Sequence, residues 1–137
     1  MKQGRSLDQM PDQSSFARLA GIEVVSVTAD EVVCRMPVTP ELANRNGALH
    51  GGAIMTLADS AAGSAAFILL PPERSNTTVE AKTNFIRGVK MGDTVTARCI
   101  PIHAGRQTMV FQITMTRDDG KVVAVTTQTH LAIDWAG

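Results

Sequence analysis

Only two cysteines, three histidines and four phenylalanines occur among the 137 residues, tyrosine is absent, and thirteen basic side chains are matched by thirteen acidic ones. These shortages exclude whole classes of function. Cys34 and Cys99 stand far apart in strand-like runs, with no second Cys or His at the short spacing of a zinc site, so they read as buried free thiols. His50, His103 and His130 are at no ligand spacing from one another, and no metal is expected. Zero net charge gives no general attraction to nucleic acid or to an anionic membrane, and leaves room only for a local basic patch. The longest uncharged apolar stretch, Ser60 to Pro72, is too short to span a bilayer, and the polar start from Met1 to Asp8 resembles no secretory signal. A cytoplasmic protein without nucleic-acid or membrane partners is expected. The glycines match neither a P-loop nor a dinucleotide fingerprint, and no serine stands in a nucleophile elbow.

What is present suffices for one core. With 44% hydrophobic and 19% charged residues, a chain of this length folds as one domain without disulfides or a structural metal. Residues 1–12 are polar and read as a flexible tail, and residues 13–137 as the domain. Ser14 caps a short helix that Gly21 stops, and the β-branched run from Ile22 to Val38, broken at Thr28–Glu31, reads as a hairpin. Pro40 to Ala48 is a loop. Apolar residues then recur at three- and four-residue intervals from Gly51 to Leu70, predicting one long helix ended by Pro71 and Pro72. Alanine, serine and glycine at 61–66 keep it thin, so something must approach its backbone closely. Four strands follow at 77–87, 94–103, 107–117 and 122–133, read as a sequential antiparallel meander with Asp118-Asp119-Gly120 as a hairpin turn. A single apolar helix among antiparallel strands means an α+β fold with the sheet wrapped around the helix.

Asp59 is the only charged side chain between Gly51 and Leu70. It belongs either to a narrow solvated stripe with Thr56, Ser60, Gly63 and Ser64, or to a cleft as a general base. The helix opens on His50-Gly51-Gly52 rather than on a Ser, Thr or Asp cap. Unpaired amides there suit a carbonyl or oxyanion, although two glycines also simply permit the turn while His50 caps locally. Asn44 in the preceding loop can donate to the same carbonyl or brace the loop. Thr77 and Thr78 open the next strand and could present a hydroxyl, and Arg87, Lys90 and Arg106 could hold an anionic handle such as phosphates.

The run from Asn44 to Asp59 carries N-x5-HGG-x6-D, and it resembles the signature of hotdog-fold acyl-CoA thioesterases of the phenylacetate-pathway type. Thr78-Val79-Glu80-Ala81-Lys82-Thr83-Asn84-Phe85-Ile86-Arg87 is similar to the T-x-E-x-x-x-N-F-x-R strand of that family, and Gly105-Arg106 fits its following hairpin. Gly88 departs from the family, many members of which carry proline there. The resemblance implies a hotdog fold and hydrolysis of acyl-CoA without a cofactor, coenzyme A entering as part of the substrate. It further implies that Asp59 is the catalytic carboxylate, that the Gly51 amide polarises the thioester carbonyl with support from Asn44 and His50, and that Thr78 positions the water. With so few aromatics, an acyl pocket would be lined by aliphatic and methionine side chains such as Met55.

Helix geometry adds a constraint. Eight residues at 1.5 Å rise put Gly51 and Asp59 roughly 12 Å apart, too far for one carbonyl to meet both. A site shared across a two-fold interface removes the difficulty, and the family is known for dimers, often paired again into tetramers. The rival readings are a hotdog hydratase or dehydratase, with His50 and Asp59 exchanging protons, and an acyl-CoA-binding protein without turnover.

Overall fold

A computed structural model describes residues 4–135. In chain order they form α1 (Ser15–Leu19), β1 (Glu23–Val27), β2 (Val32–Pro37), α2 (Gly51–Leu69), β3 (Arg74–Phe85), β4 (Thr94–Ala104), β5 (Thr108–Thr116) and β6 (Val122–Asp134). Local chemistry starts and stops these elements where the sequence suggests. The Ser14 hydroxyl accepts the Ala17 amide at 3.1 Å, opening α1. In the β1–β2 turn the Thr28 hydroxyl accepts the amides of Asp30 and Glu31 at 3.2 and 3.0 Å. Between β5 and β6, Gly120 takes φ +82, the left-handed conformation that the turn requires and glycine adopts without penalty.

One six-stranded antiparallel sheet wraps around α2 in the hotdog arrangement. Ala53, Ile54, Leu57, Ala58, Ala61, Ala62, Ala65, Ala66 and Ile68 of the helix are buried, and the small side chains let the strands close onto it. With 19 residues of mean hydropathy 1.4 the helix is long and apolar enough to cross a membrane, and half of it is buried in the core, which accounts for that composition. Leu57, Met36, Phe111, Ile113, Met109 and Met115 fill the space between helix and sheet. Cys34 and Cys99 lie in the same core, and burial pushes their thiols up to about 11 and about 12, so they stay protonated and unreactive near neutral pH.

Three expectations need correction. The strand order is β1-β2-β4-β5-β6-β3, so only β4, β5 and β6 form a meander and β3 pairs with β6 at the far edge. The cause is the connection at 86–93, too long for a tight hairpin, which crosses to the helix N-terminus. There Val89 is buried and its carbonyl accepts the Leu49 amide at 2.9 Å. β3 also starts at Arg74, three residues before the expected Thr77. Finally, the stretch expected to be a loose tail is tied down where it is described. Leu7–Gln9 makes a 3-10 turn, and the Arg5 guanidinium, in a residue 5% exposed, donates to the carbonyls of Phe67, Leu70, Pro72 and Arg74 at 2.6–3.3 Å. Carbonyls at a helix C-terminus have no partners within the helix and carry partial negative charge, so a cation with a planar fork of donors is held there. Residues 1–3 of that stretch lie outside the described residues.

Candidate active site

At the start of α2 the His50 backbone is extended and its Nδ1 accepts the Gly52 amide at 2.8 Å. His50 therefore caps locally, and it lines an apolar cleft with Phe16 and Leu42 that does not include Asp59. Among the described residues no acceptor is paired with the Gly51 amide. The Phe85 ring lies against Gly51, where a Cβ would come within 3.2 Å of a ring carbon, so a side chain there would crowd the approach to that amide. Asn44 acts as the brace of the loop, its Oδ1 accepting the amides of Asn46 and Ala48 at 2.9 and 3.1 Å.

Two turns further along, the Thr78 hydroxyl donates to Asp59 Oδ1 at 2.7 Å. The Asp59 carboxylate is exposed, so its place on an apolar helix requires no buried counter-ion. Strand β3 runs antiparallel to α2, with Asn76 Nδ2 donating to the Gly63 carbonyl at 3.4 Å, then Thr78 at Asp59, then Phe85 at Gly51. Two clefts meet at Asp59. One, of about 300 Å³, is shared with Met55, Thr56, Ala81 and Gln128; the other, of about 500 Å³, extends along Ser60, Gly63 and Ser64 toward the helix C-terminus. The solvated stripe and the cleft of the sequence reading are thus one surface.

Behind Thr78 stands a group that the sequence reading missed. His130 is buried, with Nδ1 2.8 Å from Asn76 Oδ1 and Nε2 2.8 Å from Gln128 Oε1 and 3.5 Å from the Thr78 hydroxyl. Thr126, Gln128 and His130 alternate along the inward face of β6, and three polar residues at a two-residue period were the available signal. Burial pushes the His130 pKa below its ordinary 6.5, opposed in part by the charge of Asp59. The unfolded chain then takes up a proton before the folded one does. Stability is therefore lost as pH falls through about 6.5, and the loss continues down to the folded pKa. Urea unfolding at pH 7.5 and 5.5 should show a drop in midpoint for the wild type and a smaller drop for His130→Gln; equal drops would assign the slope to other groups.

The basic candidates do not converge within one chain. Arg87 is exposed and donates to the Val122 carbonyl at 2.8 Å, and Lys90 pairs through Ala48 with the loop before α2, both near Gly51. Arg106 sits in the β4–β5 turn. The registers Thr108↔Leu131 and Leu131↔Thr77 place that turn at the Thr78 end of β3, whereas Arg87 follows Phe85 at the other end, roughly 26 Å away by strand rise. Gly51, Phe85, Arg87 and Lys90 form one group, and Asp59, Thr78, Met55 and Arg106 lie toward the other. No cluster of three or more His, Cys, Asp or Glu side chains placed to hold a metal exists among the described residues.

Residues 46–124 match the family model of the thioesterase superfamily. The chain is 30% identical over 116 residues to the acyl-coenzyme A thioesterase PaaI of Escherichia coli, covering 85% of this chain and 81% of that one. It is 32% identical over 105 residues to the 1,4-dihydroxy-2-naphthoyl-CoA hydrolase of Listeria monocytogenes, covering 77% and 85%. Its fold superposes with a TM-score of 0.87 on a mutant thioesterase from Pseudomonas aeruginosa, at 29% identity and 98% coverage of both chains.

Proposed function

We propose, from the premise that the chain belongs to the thioesterase superfamily and is a thioester hydrolase, that it cleaves an acyl- or arylacyl-coenzyme A at sites shared between two copies of itself. The hydratase and non-catalytic readings yield to that family assignment. One observation carries the shared site: the unpaired Gly51 amide and the Thr78-held Asp59 carboxylate lie on one helix eight residues apart, both beside β3 at the open edge of the sheet. Antiparallel pairing of two β3 edges about a two-fold near Ala81 and Lys82 brings the Phe85 end of one copy to the Thr78 end of the other. Each carbonyl then meets Gly51 and Asp59 from different copies, and Arg106 joins Arg87 and Lys90 around one anionic handle.

In that site the Gly51 amide donates to the thioester oxygen, where negative charge develops as the tetrahedral species forms. Asp59 takes a proton from water as the water oxygen bonds to the carbonyl carbon, with Thr78 fixing one carboxylate oxygen so that the other faces the water. The carbon–sulfur bond then breaks, and the coenzyme A sulfur leaves with the proton. Direct attack by Asp59 would pass through an anhydride that water cleaves, using the same groups. His50 and Asn44 contribute by holding the helix start and its loop. The reaction needs no cofactor, and we place it in the cytoplasm, where free thiols such as Cys34 and Cys99 persist.

Release of free thiol from a panel of acetyl-, hexanoyl-, decanoyl- and phenylacetyl-CoA tests the activity, and no turnover of any of them would overturn the reading. Arg106→Ala should raise KM for coenzyme A thioesters and leave KM for a pantetheine thioester, which lacks the nucleotide phosphates, nearly unchanged. Equal increases for both would make Arg106 structural.

A further inference from the structure

The 500 Å³ cleft beside Asp59 has an unusual wall. Its floor is α2 at Ser60, Gly63 and Ser64, and one side is β1 at Val24 and Val27, but its outer side is the N-terminal segment, through Leu7, Met10 and Pro11. That segment is fastened at both ends. At one end the Arg5 guanidinium engages the four carbonyls past Phe67 and lies 4.8 Å from the Phe67 ring centroid, while the Arg5 amide donates to the Ile68 carbonyl at 3.2 Å. Gly4 sits so close to the helix end that a Cβ there would collide with the Ile68 carbonyl oxygen. At the other end Gln13 Nε2 donates to the Ile22 carbonyl at 2.7 Å and Ser14 caps α1. Between these anchors Leu7 is 66% exposed at the rim of the cleft, where it joins Met10, Val24, Val27 and Phe67 as the apolar part of a lining that also carries Ser60 and Ser64.

We propose that Gly4–Ser14 is a strap that forms the outer wall of the acyl compartment, and that Arg5, by pinning it to the end of α2, determines which acyl tails the enzyme accepts. The inference rests on Asp59 being the catalytic carboxylate, because the cleft starts at that side chain and leads away from it along the helix. A carbonyl at Asp59 directs its acyl tail either toward Met55 or under the strap, and the cleft under the strap is the larger, within the size range of small-molecule sites. The ligand class is a flexible aliphatic tail, since Leu7 and Met10 are unbranched at Cβ and adapt to such a chain. Acetyl groups are too short to reach the wall. Arg5 touches neither the reacting atoms nor the cleft and is a positioning residue.

The test uses non-hydrolysable thioethers, so that it does not depend on turnover. Calorimetric affinities of S-methyl-CoA and S-hexyl-CoA give a ratio for the wild type, for Met10→Trp, which fills the cleft, and for Arg5→Ala and Gly4→Val, which release the strap by different means. The wild type should favour the hexyl compound. Met10→Trp should lower the hexyl-to-methyl ratio about tenfold or more, as loss of methylene contacts in a shaped pocket does. Arg5→Ala and Gly4→Val should lower the same ratio together, and Arg5→Lys should recover only part of it because an ammonium cannot serve four carbonyls. If Arg5→Ala fails to fold, Met10→Trp and Gly4→Val still decide. A ratio in Met10→Trp equal to that of the wild type, or a wild type that binds both thioethers equally, overturns the strap. Tight, length-selective binding with no hydrolysis of the parent thioesters would instead sink the catalytic reading and leave the strap standing.

Discussion

Asp59→Asn should lower kcat for thioester hydrolysis by on the order of 10²-fold or more, with KM largely kept. The asparagine keeps the shape of the side chain and can still meet the Thr78 hydroxyl, which lies 2.7 Å from Asp59 Oδ1, so the loss falls on the proton transfer rather than on packing. Because the carboxylate is exposed, its replacement leaves no buried partner charge, and the folded fraction should be unaltered. Steady-state assays on hexanoyl-CoA with matched thermal unfolding curves measure both. A folded Asp59→Asn protein with near-normal kcat would return Asp59 to the role of a solvated side chain.

Gly51→Pro should be nearly as damaging for the complementary reason. Proline at the first helical position removes only the amide hydrogen, and the extended His50 backbone before it, at φ −66 and ψ 136, is the conformation that proline prefers in its predecessor. The Phe85 ring, 3.2 Å from the position of an added Cβ, has to give way slightly, and circular dichroism serves as the folding control. Loss of one oxyanion donor costs about 10²–10³ in kcat. Co-expression of Gly51→Pro with Asp59→Asn then reads out the shared site. In a mixed dimer one site collects both lesions and the other is intact; random pairing makes half the dimers mixed, so activity should return to about a quarter of the wild type. Differently tagged chains confirm that mixed dimers form. If the mixture is no more active than the average of its parents, both groups act within one chain.

The elements that could be read from the sequence are those whose causes are local. Ser14, the Thr28 turn and Asp118-Asp119-Gly120 act over two to four residues, and the three- and four-residue spacing of apolar side chains defines α2 by itself. The position of β3 could not be read that way. Its partner is decided by where the crossing segment at 86–93 is anchored, and assuming that consecutive strands are neighbours placed it beside β4. The same distinction runs through the site. Asp59 stands out as a lone charge on an apolar helix, and Gly51 by the absence of a Ser, Thr or Asp cap before it, whereas the environment of His130 depends on the register Thr78↔His130 between strands 52 residues apart. Arg5 was read as part of a loose tail because the carbonyls that hold it lie 62 to 69 residues away.

Placing β3 at the far edge also makes its strand pairing a distant one in sequence. Strand β3 precedes β4, β5 and β6 in the chain, yet among the described residues its one strand neighbour is β6, so Arg74 must wait for Asp134, sixty positions later, before its ladder can close. Closing so large a loop delays the reward from pairing, and chains dominated by such distant contacts fold slowly, in milliseconds to seconds. During that wait β3 exposes an unpaired row of amides and carbonyls, which invites association with the wrong strand. Glu80 and Lys82 sit in the middle of the row, where charge discourages indiscriminate stacking. In the proposed site, the strand that holds the Thr78 hydroxyl against Asp59 is thus completed only when residues from both ends of this long loop have met.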